Sequence, residues 1–232
     1  DIFKDILDYN HVSEFQTYAT SALRSSSNQE EVIEKIKMVT GIDIQVIDGI
    51  QEANLLFLTN REKLKKKKYY ISADLGGGSL QIGLFRYREL LWAHAFKAGT
   101  LRFITNTIKQ SEIDALEAKI IELKKDYPDA EIMGSGGNIN KISKMTGKGK
   151  VTHEDMSELY EILNEISYSD RIMKYGLRED RADVIIPALK LYMRILKITG
   201  NKHILVPKTG LADGIIQSLF IRDYGINKLF LE

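Results

Sequence analysis

The chain has 232 residues, 44% hydrophobic and 28% charged, with a formal net charge of +1. That length supports one large domain or two modest lobes with a real core, and the near-neutral balance neither demands nor excludes an anionic partner. Without cysteine, disulfides, zinc–thiolate sites and thiol catalysis are excluded; no apolar run reaches the length of a membrane span and no signal-peptide pattern is read, so a cytoplasmic protein is the expectation.

Residues 1–9 read as a short amphipathic helix, with Ile2, Phe3, Ile6 and Leu7 at helical spacing. Because the chain opens at Asp1 inside that helix, it reads as a piece of something longer. A strand is expected over 15–22, then a polar loop of serines with Asn28 as a helix N-cap. Helix 29–40 carries Val32, Ile33, Ile36 and Val39 on one face and stops at Gly41. A strand over 42–47, the Asp48-Gly49 turn and a helix over 50–63 follow, with Glu52 in that helix's first turn. The order implies a parallel strand pair in an α/β lobe. Lysines at 63, 65, 66, 67 and 68 read mainly as a solvated helix end, with one or two near the path of a polyanion.

Strands are expected at 69–73, 80–85 and 89–96. Between the first two lies Asp74-Leu75-Gly76-Gly77-Gly78-Ser79. A plain hairpin turn needs one or two residues of positive φ rather than three glycines. Consecutive glycines let the backbone lie against a ligand with its N–H groups outward, as an anion-binding nest. The aspartate can hold a cation and the serine a phosphate oxygen, so the local chemistry is phosphate plus a divalent metal. A turn at Gly99–Arg102 enters a helix. Ser111 and Asp114 suggest a capping box for helix 111–127, which Pro128 ends. Strand 130–134 then meets Gly134-Ser135-Gly136-Gly137-Asn138 and helix 139–145, an order that presents backbone N–H groups and a helix N-terminus to phosphate. By itself this second loop reads equally well as a tight strand-to-helix turn.

Beyond a Gly/Lys loop at 146–150, Thr152 and Asp155 cap a helix that buries Leu159, Ile162, Leu163 and Ile166. A helix runs from Ser169 to Tyr175, and a long one over 181–199 contains Pro187, which would kink or split it. Strand 203–206 and a helix from Gly210 to Phe220 close the chain. His11, His94, His153 and His203 show no metal-ligand spacing and read as surface or packing residues.

These stations resemble the exopolyphosphatase/guanosine pentaphosphate phosphatase family, across nearly the whole chain. The matching residues are Ala19-Thr20-Ser21-Ala22-Leu23-Arg24 with Asn28, Gly49 with Glu52-Ala53, Asp74 to Ser79, Gly134 to Gly137, Arg181-Ala182-Asp183, and Gly210-Leu211 with Gly214. The resemblance implies an α/β chain of the actin-like ATPase (ribonuclease H-like) fold, two-lobed, with its first lobe incomplete. Residues 1–66 would belong to lobe I and 67–205 to lobe II, with 206–232 a terminal segment packing back on lobe I. It implies hydrolysis of a terminal phosphoanhydride, in inorganic polyphosphate or guanosine pentaphosphate, with Mg²⁺. Neither a nucleic-acid duplex nor a membrane is implied as a partner, and a homodimer is.

The resemblance makes Glu52 the catalytic base and Asp74 the metal-associated carboxylate. Gly76, Gly77, Gly78 and Ser79 become one phosphate loop, Gly136 and Gly137 the second, and Arg24 the arginine of the phosphate site. On residue grounds alone, Glu52 reads as a solvated first-turn glutamate and Arg24 as a surface arginine. Three departures stand out: Gln81 where the family usually has Glu, Ala212-Asp213 where it often has Arg-Glu, and no Asp-x-Gly-Ser strand turn ahead of Asp1. The expectation is that this chain alone is weakly active or inactive. The alternative reading is a catalytically weakened polyphosphate- or nucleotide-binding regulator.

Overall fold

The computed structural model describes residues 2–60, 64–65, 67–87 and 89–224, without the side chains of Phe57, Asn60 and Tyr224. Its centre is a six-stranded mixed sheet in the order β5-β4-β3-β6-β8-β7. β3 (Tyr69–Leu75), β4 (Leu80–Arg86) and β5 (Glu89–Phe96) form an antiparallel meander. β6 (Glu131–Ser135) and β8 (His203–Leu205) continue the sheet parallel to β3, and β7 (Lys150–Thr152) closes it antiparallel to β8.

Alternation along the strands separates core from site. Ile71, Ala73, Leu75, Leu80, Ile82 and Ile132 face one way, into the main core. They meet α6 (Gln110–Asp126), α7 (Gly136–Thr146), α8 (His153–Glu165) and α11 (Ile185–Thr199). Each fully buried side chain of this size contributes about 1.5–3 kcal/mol. The other face carries Tyr70, Phe85 and Met133 as a small apolar cluster, and beside it the polar residues Ser72, Asp74, Gln81 and Ser135.

That second face is covered by α4 (Gly49–Asn60). Asp48 starts the helix: its Oδ1 accepts from the N–H groups of Ile50 and Gln51 at 2.8 Å, while Gln51 Oε1 accepts from Asp48 N–H at 2.9 Å. This reciprocal cap fixes the direction of the first turn. Gly49 lets the turn sit directly on β5, since a Cβ there would lie 2.6 Å from Ala95 Cβ. α12 (Leu211–Tyr224) packs across the outer side of α4 at Gly214, where a Cβ would fall 2.0 Å from the Leu55 carbonyl oxygen. Earlier in the chain come α1 (Ile2–Tyr9), a two-residue parallel pair of β1 (Tyr18–Ala19) and β2 (Gln45–Val46), α2 (Ser21–Arg24) and α3 (Gln29–Thr40).

Several expectations are corrected. The strand over 15–22 shrinks to Tyr18–Ala19, because Ser21 already opens α2, and the one over 42–47 shrinks to Gln45–Val46. Asn28 stands at the N-cap of α3 without a side-chain cap bond. Ser111 does not cap α6, which begins at Gln110 after Lys109; Glu112 instead accepts from Lys97 N–H at 3.0 Å. The loop expected over 146–150 ends in β7, a short edge strand. The long helix divides into α10 (Glu179–Ala182) and α11, and Pro187 lies in the first turn of α11, where its missing N–H costs no bond. Of the five lysines, Lys63 and Lys66 lie outside the described residues, as does the 61–63 end of the expected helix. Lys68 pairs with Glu131 at the start of β6. Thr152 and Asp155 form the expected capping box.

Candidate functional site

The site is a row across the sheet. The registers place Asp74 opposite Gln81 on one side and Ser135 on the other, and Gln81 opposite Ala95. Directly paired residues point to one face, so Ala95, Gln81, Asp74 and Ser135 line up beneath the first turn of α4. Ser135 Oγ donates to Asp74 Oδ2 at 2.8 Å. Burial lifts the Asp74 carboxyl above the ordinary carboxylate range, and the Ser135 hydrogen bond opposes the lift.

Glu52 hangs over this row with its side chain only 12% exposed, so the solvated first-turn reading is corrected. Its Oε2 is buried and makes no hydrogen bond. Burial, with the negative charge of Asp74, pushes the Glu52 carboxyl up to about 7; the Arg24 charge and a hydrogen bond from Gln81 hold it down in part. Arg24 Nη1 lies 3.7 Å from Glu52 Oε2, too long for a hydrogen bond but close for charge, and its side chain is 27% exposed. It also donates to the Ile47 carbonyl. The surface-arginine reading of Arg24 is therefore corrected as well.

The glycine turn differs from its sequence reading in how it uses glycine. None of Gly76, Gly77 and Gly78 has positive φ. Close approach demands them: a Cβ at Gly77 would lie 2.9 Å from Leu101, and one at Gly78 would lie 2.3 Å from Ser21 Oγ. The turn's carbonyls point to α5 (Thr100–Ile104). Thr100 N–H donates to Gly76 O at 3.0 Å, Leu101 N–H to Gly77 O at 2.9 Å, and Arg102 Nε to Gly78 O at 2.8 Å. With the carbonyls occupied there, the Gly77 and Gly78 N–H groups donate to no backbone carbonyl among the described residues. Ser79 is 7% exposed and borders an open cleft with Ser21, Arg24, His94 and Lys97.

Gly136 and Gly137 are the first residues of α7 rather than a loop ahead of it. Gly136 has φ +85°, and a Cβ there would lie 2.8 Å from Asp74 Oδ2. Gly137 is overlain by a group that has no role in the sequence reading: a Cβ would meet Arg181 Nη2 at 2.7 Å. Asn138 is the bracket, accepting from Arg181 Nη1 at 3.2 Å and donating to Leu75 O at 2.7 Å. Arg181 stands in the matching triplet Arg181-Ala182-Asp183, which was the available signal. All eight loop and charged residues singled out from sequence thus gather with Glu52 around one junction, and Arg181, Asn138, Ser135 and Gln81 join them. An apolar groove lies elsewhere, between α5, α6 and α11.

No group of three or more metal-ligating side chains converges among the described residues. Glu52 and Asp74 are neighbouring carboxylates at this junction, each feeling burial. No described helix is long and apolar enough to cross a membrane.

An antiparallel meander running into parallel strands, with a glycine hairpin and a glycine-opened helix at the ends of neighbouring strands, is the arrangement of the actin-like ATPase fold. Solved structures agree on that fold. An exopolyphosphatase from Cytophaga hutchinsonii superposes with a TM-score of 0.80 over 94% of this chain and 78% of its own, at 23% identity. The Aquifex aeolicus Ppx/GppA family member gives 0.73 over 96% and 79%, at 22% identity. In sequence, exopolyphosphatase 1 of Mycobacterium leprae is 22% identical over 229 residues, covering 88% of this chain and 67% of the relative. The guanosine-5'-triphosphate,3'-diphosphate pyrophosphatase of Aeromonas hydrophila is 19% identical over 234 residues, covering 94% and 47%. The model of the Ppx/GppA phosphatase family matches residues 1–222. The chain belongs to the Ppx/GppA phosphatase family.

Proposed function

We propose that this chain carries the site of a Mg²⁺-assisted hydrolase that releases terminal orthophosphate from inorganic polyphosphate or guanosine pentaphosphate. The observation that carries this reading is Glu52: a buried carboxylate with an unpartnered oxygen, raised to about 7, 3.7 Å from Arg24 and beside Asp74. A base is most effective when its pKa lies near the working pH. The names of the relatives support the two substrates.

Phosphoryl transfer asks for positioning and charge neutralisation more than covalent help. The Gly77 and Gly78 N–H groups, the first turn of α7, Arg24 and Arg181 would hold non-bridging oxygens, while Glu52 takes the proton of the attacking water. Asp74 and Glu52 together suit Mg²⁺, which commonly binds through one or two carboxylates plus substrate phosphates. Two neighbouring acids with raised pKa are the surroundings a cation relieves. Bound there, it would neutralise charge developing on the phosphoryl oxygens.

The test is orthophosphate release from each substrate, with Mg²⁺ and with a chelator, by this chain and by any longer natural form of it. Release that needs Mg²⁺ supports the proposal; none from either form, on either substrate, overturns it. Gln81 favours one second reading, a binding protein with little turnover, which tight phosphate-chain binding without release would select.

A further inference from the structure

We infer that Gln81 positions the attacking water together with Glu52; the inference rests on the hydrolase reading above. Gln81 is 4% exposed, and its Oε1 has no hydrogen-bond partner. Glu52 Oε2, on α4, is likewise buried and without one, while the Gln81 side-chain amide donates to the Glu52 carboxylate. An unsatisfied buried acceptor is destabilising, and packing alone does not explain two of them on contacting side chains. Both oxygens are acceptors, and a water molecule brings two donors. Held by two acceptors, a water has its hydrogens fixed and a lone pair left free to point at phosphorus. Held by Glu52 alone, it would rotate about a single hydrogen bond.

The surroundings suit this assignment. Gln81 sits in the row between Asp74 and Ala95, whose small side chain leaves the space above it to α4. An amide serves this role differently from a carboxylate. It accepts the hydrogen bond without competing for the proton. It also adds no third negative charge beside Glu52 and Asp74, where an incoming phosphate must approach.

The water oxygen bonds to the terminal phosphorus as the bridging P–O bond breaks. The bridging oxygen leaves with the electron pair on the shortened chain, and one water proton passes to Glu52. The Gln81 carbonyl keeps the other hydrogen bond throughout and takes no proton.

Gln81→Met and Gln81→Leu remove the acceptor and keep most of the volume; Gln81→Glu keeps an acceptor. Melting temperature, affinity for a non-hydrolysable imidophosphate chain, and kcat would be measured for all four proteins with Mg²⁺. The expected result is that the apolar variants melt at or above the wild type and bind the analogue within about twofold, while kcat falls by at least about tenfold. Gln81→Glu should recover a substantial part of that loss. An unchanged kcat in the apolar variants overturns the inference and leaves the hydrolase reading intact. So does a loss shared equally by affinity, or a Gln81→Glu protein no better than Gln81→Met. A wild type that releases no orthophosphate from either substrate removes the hydrolase reading and this inference with it.

Discussion

The Asp74 carboxylate occupies the space that a side chain at position 136 would need: a Cβ on Gly136 would come within 2.8 Å of Oδ2. The second glycine loop is therefore built around the first loop's aspartate. Gly136→Ala would suffer twice, from the contact and from φ +85°, which alone costs an L-residue about 1–2 kcal/mol. The expected outcome is a loss of roughly 1–3 kcal/mol in chemical denaturation, with turnover down by about a hundredfold as Asp74 and the α7 N-terminus move apart.

Glu52 links activity to stability. The folded chain holds its proton up to about pH 7, against 4.5 for an unperturbed glutamate. The folded state thus binds an extra proton between those values, and stability falls as pH rises through that window, levelling off above it. Glu52→Gln removes the dependence. It should be more stable than the wild type at pH 8, by up to about 3 kcal/mol, and equal to it near pH 4. Turnover should fall by about 10²–10⁴-fold. Denaturation curves at the two pH values, set beside kcat, check both halves; a Glu52→Gln protein less stable at pH 8 would refute the burial argument.

Arg24 is the cation that keeps Glu52 from rising further. Arg24→Met should move the acid limb of the pH–rate profile to higher pH, since the opposing positive charge is gone. It should also raise KM, because the same guanidinium is a candidate partner for phosphate. Arg24→Lys keeps the charge but cannot reach both the Ile47 carbonyl and Glu52 with a planar fork. It is expected to correct the pH limb more fully than KM.

The helix that carries Glu52 is held from behind by α12. At Gly214 the axes of α12 and α4 come so close that a Cβ would lie 2.0 Å from Leu55 O. Gly214→Ala should separate the helices, costing about 1–3 kcal/mol, and should lower kcat by tilting Glu52 away from the sheet. Loss of stability with kcat unchanged would show that α4 is positioned by its cap and by Ala95 alone.

The glycine hairpin was legible because three glycines between an acid and a serine have few other uses, and the meander because strands 69–96 alternate over long runs. Less visible was how each feature is enforced. Close packing against Ser21 and Leu101, rather than positive φ, demands Gly77 and Gly78, and such contacts come from residues distant in the chain. β7 has only three residues, too few for a period to show. Ser111 and Asp114 had the spacing of a cap, but α6 begins at Gln110, which puts Ser111 inside the helix. Glu52 and Arg24 each look solvated on their own helices, and only the assembled sheet buries the one and pairs the other. Arg181 reaches Gly137 from 44 residues away, beyond any local pattern.

The row Ala95–Gln81–Asp74–Ser135 is also a safeguard against misfolding. Its members alternate along their strands with Leu75, Leu80, Ile82 and Phe96, all buried on the opposite face. A strand that slipped by one residue would swap the two sets, sending the polar row into the core and core residues into the cleft. The large energetic penalty for exposing the core thus also guards the site's alignment, so this chain cannot hold a well-packed sheet and a misregistered site at once.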